Sequence, residues 1–252
     1  MAENTQVRKK KKRRKKHYLL RFIVFIGILV GLYSFMVSDF FDIDEIVVEN
    51  NSYYTAEQII DRSGIKTGGN IFKDIGLSAA EDVLMEDPYI RNAQIMRKYP
   101  NQVIINVAER TEAAAIPYAT SYILIDTEGL VLRTSEVEPK LPLILGLTIK
   151  EMNPGAALEV EENSILNDTL EMIKAIEESD VYFKKIDISN VMVKAYVYDA
   201  LICQGMPQDI IARVKDGTLQ GILYELYESG IERGTVTVTS DPTNMAFGPD
   251  YE

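Results

Sequence analysis

Residues 92–109 read NAQIMRKYPNQVIINVAE, two apolar–polar alternations separated by Tyr99, Pro100 and Asn101. A period of two is that of a half-buried strand. Pro100 fixes one backbone angle and Asn101 tolerates a left-handed position, so the stretch reads as two antiparallel strands joined by a tight turn. Working toward the N-terminus, Pro88 ends a preceding helix that carries Val83, Leu84 and Met85 and that opens with Ser78 and Glu81 in a capping-box pattern. Thr55 and Gln58 make the same pattern for an earlier helix, which Gly64 stops, and the KTGGN run (Lys66–Asn70) makes a turn. Ile43, Ile46 and Val48 alternate in IDEIVVEN as one more strand. The order is strand, helix, helix, strand, strand, with one sheet face under two helices.

Before this unit stands a run from Tyr18 to Val37 whose only charge is Arg21. About 20 apolar residues at 1.5 Å each span the roughly 30 Å hydrocarbon core of a bilayer. Arg21 can snorkel to the headgroups, and Tyr18 anchors the same interface. Nine basic residues, Arg8, Lys9, Lys10, Lys11, Lys12, Arg13, Arg14, Lys15 and Lys16, flank one end; Asp39, Asp42, Asp44 and Glu45 flank the other. The positive-inside rule then keeps the N-terminus in the cytoplasm and exports everything after Val37. A cleaved leader would have an apolar core of about 7 to 15 residues followed by small ones. Ser34-Phe35-Met36 puts a bulky residue where a small one is needed, which favours an uncleaved signal anchor.

Charge separates the two sides of that anchor. Ten of the 27 Lys and Arg lie in the first 21 residues, with one of the 38 Asp and Glu, which leaves 17 basic against 37 acidic side chains beyond. An exported part near −20 repels nucleic acid and anionic headgroups and suits a domain that meets proteins. Cys203 is alone, sits among apolar residues in ALICQG and reads as a buried, inert thiol; His17, at the membrane face, is the single histidine. Ser-His-Asp and Cys-His catalysis and His-ligated metals are thereby excluded, while carboxylate-only or Ser-Lys chemistry stays open. No cofactor or metal is expected.

The remainder, about Ala113 to Thr239, carries a hairpin at Tyr122–Leu132, an LPLILGL strand and helical apolar spacing at Leu166, Leu170, Ile173 and Ile176. Strands follow at Lys185–Ser189, Val191–Tyr198 and Ala200–Cys203, then a helix over Asp209–Glu228 that Gly217 interrupts or bends and Gly230 closes. Thr235–Thr239 is the last clear strand, with Val236 and Val238 on one face, and Met245, Ala246 and Phe247 offer one more edge segment. The fold class expected is α+β: a transmembrane helix, a small β-α-α-β-β domain, and a mixed α/β second domain rich in antiparallel strands. The segments are 1–17 basic tail, 18–37 anchor, 38–110 first domain, 111–240 second domain and 241–252 a short C-terminal segment.

A lone β-α-α-β-β module directly after a signal anchor resembles the POTRA domain of the FtsQ/DivIB family of bacterial cell-division proteins. The motifs that carry the resemblance are Gly64 with KTGGNIF (Lys66–Phe72), PYIRNAQIMRKYPN (Pro88–Asn101), YILIDTEGLVL (Tyr122–Leu132), LPLILG (Leu141–Gly146) and GTVTVT (Gly234–Thr239). Two positions depart from the pattern: Asn50 stands for a glycine after the first strand, and Thr111-Glu112 for a proline after Arg110. The resemblance implies a bitopic, non-enzymatic scaffold at the division septum. Its partners would be small coiled-coil proteins of the FtsB/DivIC and FtsL types, other septal proteins and the membrane, with no nucleic acid. A sensory ectodomain is the alternative, and a carboxylate-dependent cell-wall enzyme, which would need a deep pocket with two carboxyl groups, is a further one.

By analogy with that family, Thr235, Val236, Thr237, Val238 and Thr239 with Met245, Ala246 and Phe247 form a docking edge, and Val238→Pro should abolish partner capture without unfolding the domain. Arg97 and Tyr99 either specify the hairpin or contact a partner. Gly68-Gly69 could cradle phosphate but lacks a following Gly-Lys-Ser/Thr, so a turn is the better reading. Asp126 in IDTEG reads as turn chemistry rather than as a catalytic acid.

Overall fold

The computed structural model describes residues 18–73 and 76–250, so the basic block Arg8–Lys16 lies outside the described residues. Helix α1 (Tyr18–Met36) buries none of its side chains and is long and apolar enough to cross a bilayer. A short 3-10 turn at Asp39–Phe41 joins it to the first domain.

That domain has the expected order: β1 (Glu45–Glu49), α2 (Ala56–Ser63), α3 (Leu77–Met85), β2 (Ile90–Lys98) and β3 (Gln102–Glu109). β3 lies in the centre of the sheet, antiparallel to β2 and parallel to β1. Ile59 and Leu84 from the helices meet Ile95, Val103 and Ile105 from the strands in one core. Full burial of one such side chain stabilises by about 1.5–3 kcal/mol.

Thr55 and Gln58 exchange both bonds of a capping box, and Gly64 takes the left-handed conformation that ends α2. Asn50 likewise has positive φ, as its place after β1 requires. The second capping box does not form. α3 begins at Leu77, so Ser78 already lies inside the helix, and Glu81 instead accepts a hydrogen bond from the Ile95 N–H at 2.7 Å. At the hairpin the Tyr99–Pro100 bond is cis and Asn101 is not among the positive-φ residues; its side chain donates to Asp44 and its carbonyl accepts from the Asp44 N–H.

The second domain is built on a nine-stranded mixed sheet. Its elements are β4 (Ala114–Tyr118), β5 (Ser121–Ile125), β6 (Val131–Ser135), β7 (Leu143–Leu145), a side hairpin of β8 (Ile149–Glu151) and β9 (Glu159–Val160), and α4 (Asn163–Glu177). Then come β10 (Lys185–Asp187), β11 (Val193–Tyr196), β12 (Ala200–Gly205), α5 (Pro207–Lys215), α6 (Thr218–Glu228), β13 (Arg233–Thr237) and β14 (Ala246–Gly248). The strand order is β14-β13-β12-β11-β10-β7-β4-β5-β6. α4 presents Leu166, Leu170, Ile173 and Ile176 to the core, as their spacing requires. Gly217, at φ +76°, splits the expected long helix into α5 and α6. The α5–α6 pair forms the crossover that makes β12 and β13 parallel.

Candidate functional site

The C-terminal end of the sheet is where sequence placed a docking edge. β13 alternates as expected: Val236 and Val238 are buried, while Thr235, Thr237 and Thr239 face outward. It is not itself an edge, however, because β12 bonds it on one side and β14 on the other. Phe247 lies opposite Val236 and shares its inward face, which places Met245 and Phe247 against the core and leaves Ala246 exposed. Val238 lies just past β13, yet its N–H still donates to the Gln204 carbonyl at 2.8 Å. Proline there would break an interior bond, so Val238→Pro tests folding rather than docking.

Gly234 explains how β14 is seated, a feature that sequence reasoning missed. Its φ is +128°, and a Cβ on it would lie 2.6 Å from the Phe247 ring and 2.8 Å from the Gly248 carbonyl. Only a glycine leaves room for that ring. At the other end of the sheet, β6 is partly covered: the Val131 N–H donates to Ala156, and its carbonyl accepts from Gly155.

Arg97 and Tyr99 both make contacts within the first domain. Arg97 Nε donates to the Ile71 carbonyl at 2.7 Å, and the Tyr99 ring stacks on Phe72 at 5.1 Å while staying exposed. Gly68 and Gly69 form the expected turn, since the Gly68 N–H donates to the Ile43 carbonyl and the Gly69 carbonyl accepts from Ile43.

A polar junction between the two domains was not foreseen. Glu109, at the end of β3, accepts the backbone N–H groups of Ser52, Tyr53 and Tyr54. Burial alone would push its carboxyl up, but those N–H groups together draw it below the usual range. Arg110 reaches from the first domain to Asp126 and Glu128 of the β5–β6 turn, and Arg91 joins it on Glu128. The two guanidinium groups draw the Glu128 carboxyl down to about 2. Asp126 also accepts the Glu128 and Leu130 N–H groups, which makes it a turn anchor as expected. Glu112, one of the departures, accepts a hydrogen bond from the Tyr89 hydroxyl at 2.5 Å and pairs with Arg133. The signal was present as acidic and basic residues around the domain boundary, but nothing local states that residues 91, 110 and 128 meet.

Among the described residues, no cluster of three or more His, Cys, Asp or Glu is arranged to hold a metal ion. Cys203 is fully buried, and burial pushes its thiol up to about 12.

The POTRA domain, FtsQ-type, family model matches residues 41–110, the part that forms the three-stranded unit and its entry turn. A cell division protein DivIB of Clostridium botulinum strain Hall is 34% identical over 194 residues, 75% of this chain and 74% of the relative. The chain belongs to the DivIB/FtsQ family of cell division proteins. A DivIB of Clostridium acetobutylicum is 29% identical over 182 residues, covering 70% of this chain and 72% of the relative. An FtsQ of Syntrophotalea carbinolica is 30% identical over 155 residues, 60% of this chain and 54% of the relative. The DivIB likenesses extend well beyond the POTRA match, so family membership takes in the nine-stranded domain as well as the three-stranded one.

Proposed function

We propose that this DivIB/FtsQ-family chain is a non-catalytic, single-span scaffold of the division septum. Its basic tail stays in the cytoplasm, and its two domains, 38–110 and 111–240, stand on the other side of the membrane. It docks small coiled-coil division proteins of the FtsB/DivIC type, which pair with FtsL-type proteins. The observation that carries the docking site is β14: a short strand at one end of the sheet order, with β13 on one side and, among the described residues, no strand on the other. Its outward N–H and C=O groups can accept a strand from a partner, the usual mode of sheet extension. The anchor supports the reading by confining the docking edge to a surface, which raises its effective concentration toward partners anchored nearby.

The test is titration of the full chain in nanodiscs with the extramembrane segment of an FtsB/DivIC-type partner. It compares the intact chain with one ending at Thr239, and thermal unfolding is followed for both. Loss of binding by the shortened but folded chain supports the edge. Equal affinity moves the site elsewhere, and no binding by either chain overturns the partner assignment.

A further inference from the structure

The junction between α1 and the POTRA domain is apolar, aromatic and closely tied. Phe35, Phe40 and Phe41 form a mutual cluster with ring centroids 5.0–6.0 Å apart. Phe41 continues to Phe72 at 5.0 Å and Phe72 to Tyr99 at 5.1 Å, so the aromatic contacts run from the last turn of the membrane helix to the tip of the β2–β3 hairpin. Hydrogen bonds fix the same geometry. Asn70 Nδ2 donates to the Met36 carbonyl at 3.1 Å, which satisfies a carbonyl in the final turn of α1, and the Ile71 N–H donates to the Phe41 carbonyl. Yet Phe40 and Tyr99 remain 59% and 57% exposed to solvent.

We infer that this face, with Phe40 and Tyr99 at its centre, beds in the headgroup layer of the bilayer that α1 crosses, so that the POTRA domain lies on the membrane. The proposal rests on the membrane reading of α1 and goes beyond it, since an anchor alone permits a domain held off on a tether. Three considerations identify the occupant as lipid. Phe40 is only four residues past Met36, the end of α1. Tyr99 is two ring contacts from Phe41, hence at most ~10 Å away, a reach comparable with the interfacial layer, about 5–8 Å deep on each side of the core. Aromatic rings at this depth are favoured because they bury a face among acyl chains and keep a polar or wet edge. Lys73 and Lys98 are exposed beside the ladder and can reach phosphate oxygens, but Asp39, Asp42 and Asp44 share the neighbourhood. Apolar contact rather than net charge therefore carries the seating, and a zwitterionic lipid is sufficient.

The chain has no tryptophan, so single tryptophans report without background. Full-length Phe40→Trp and Tyr99→Trp proteins are reconstituted in phosphatidylcholine vesicles, with some lipids spin-labelled near the top of the acyl chain. Phe25→Trp, within α1, reports insertion. Tyr53→Trp lies beyond the far end of β3, whose eight residues span about 25 Å from the hairpin tip. The expected result is about a twofold quenching of the Phe40→Trp and Tyr99→Trp emission and none for Tyr53→Trp. If Phe25→Trp is quenched while Phe40→Trp and Tyr99→Trp match Tyr53→Trp, the domain is held off the bilayer and the proposal falls. An unquenched Phe25→Trp removes the membrane reading itself, and the proposal with it.

Discussion

Arg110 Nη1 lies 2.5 Å from Oδ2 of Asp126, joining the last residue matched by the POTRA family model to the β5–β6 turn of the nine-stranded domain. The Asp126 side chain is almost fully buried and that of Arg110 nearly so. A buried pair stabilises little relative to apolar residues, but removing one partner leaves an uncompensated charge. Arg110→Ala is therefore expected to destabilise by about 2–4 kcal/mol, read by urea unfolding. Asp126→Asn, which retains an acceptor for the turn N–H groups, should cost less. Equal stability of Arg110→Ala and the parent would show that the junction contributes nothing.

Acid should loosen the same junction and, beside it, the bonds that Glu109 makes to residues 52–54 within the first domain. Glu109 and Glu128 ionise at lower pH in the folded protein than their ordinary value of 4.5, Glu128 at about 2. Their stabilisation is thus fully present above about 4.5 and is lost as the pH falls toward 2. Glu128 is nearly half exposed, so its share is small and screened by salt. Urea midpoints measured between those pH values should fall with acid, and Glu128→Gln should flatten the slope.

Gly234→Ala is expected to cost about 1–3 kcal/mol, from an unfavourable positive φ together with overpacking against the Phe247 ring. Hydrogen exchange should locate the damage at β14, with faster exchange at residues 246–248 and little change in the POTRA domain. Trimming the ring by Phe247→Ala should restore only part of the loss, since the Gly248 carbonyl still obstructs the new methyl group.

Cys203 should resist thiol reagents at pH 8 in the native protein, because burial both blocks access and suppresses the thiolate. Labelling should then track unfolding, and its rate should rise with urea. Fast labelling without denaturant would mean that β12 opens readily.

Removing the cap hydroxyl by Thr55→Ala should cost about 1 kcal/mol, whereas Ser78→Ala should be close to neutral. Ser78 sits within α3 and makes no cap bond. Thermal unfolding of the two variants distinguishes the capping box that formed from the one that did not.

Local patterning determined much of this protein by itself. Helix α1 followed from an apolar run charged only at Arg21, the β-α-α-β-β order from periods of two and of about 3.6, and the α2 terminus from Thr55, Gln58 and Gly64. The break between α5 and α6 lay at Gly217, where the backbone needs a left-handed residue. These features depend on interactions a few residues apart, so the chain states them directly. Strand neighbours are a different matter, because residues far apart in sequence decide them. Met245–Phe247 read as an edge segment, but nothing within Thr235–Thr239 reveals that β14 pairs beside it and removes it from the edge, and β4 is not legible because its run AAIPY does not alternate. The Arg91–Glu128–Arg110–Asp126 junction and the aromatic path from Phe35 to Tyr99 also arise only on packing. They join groups whose proximity is set by the domains' relative placement, a property of the whole fold.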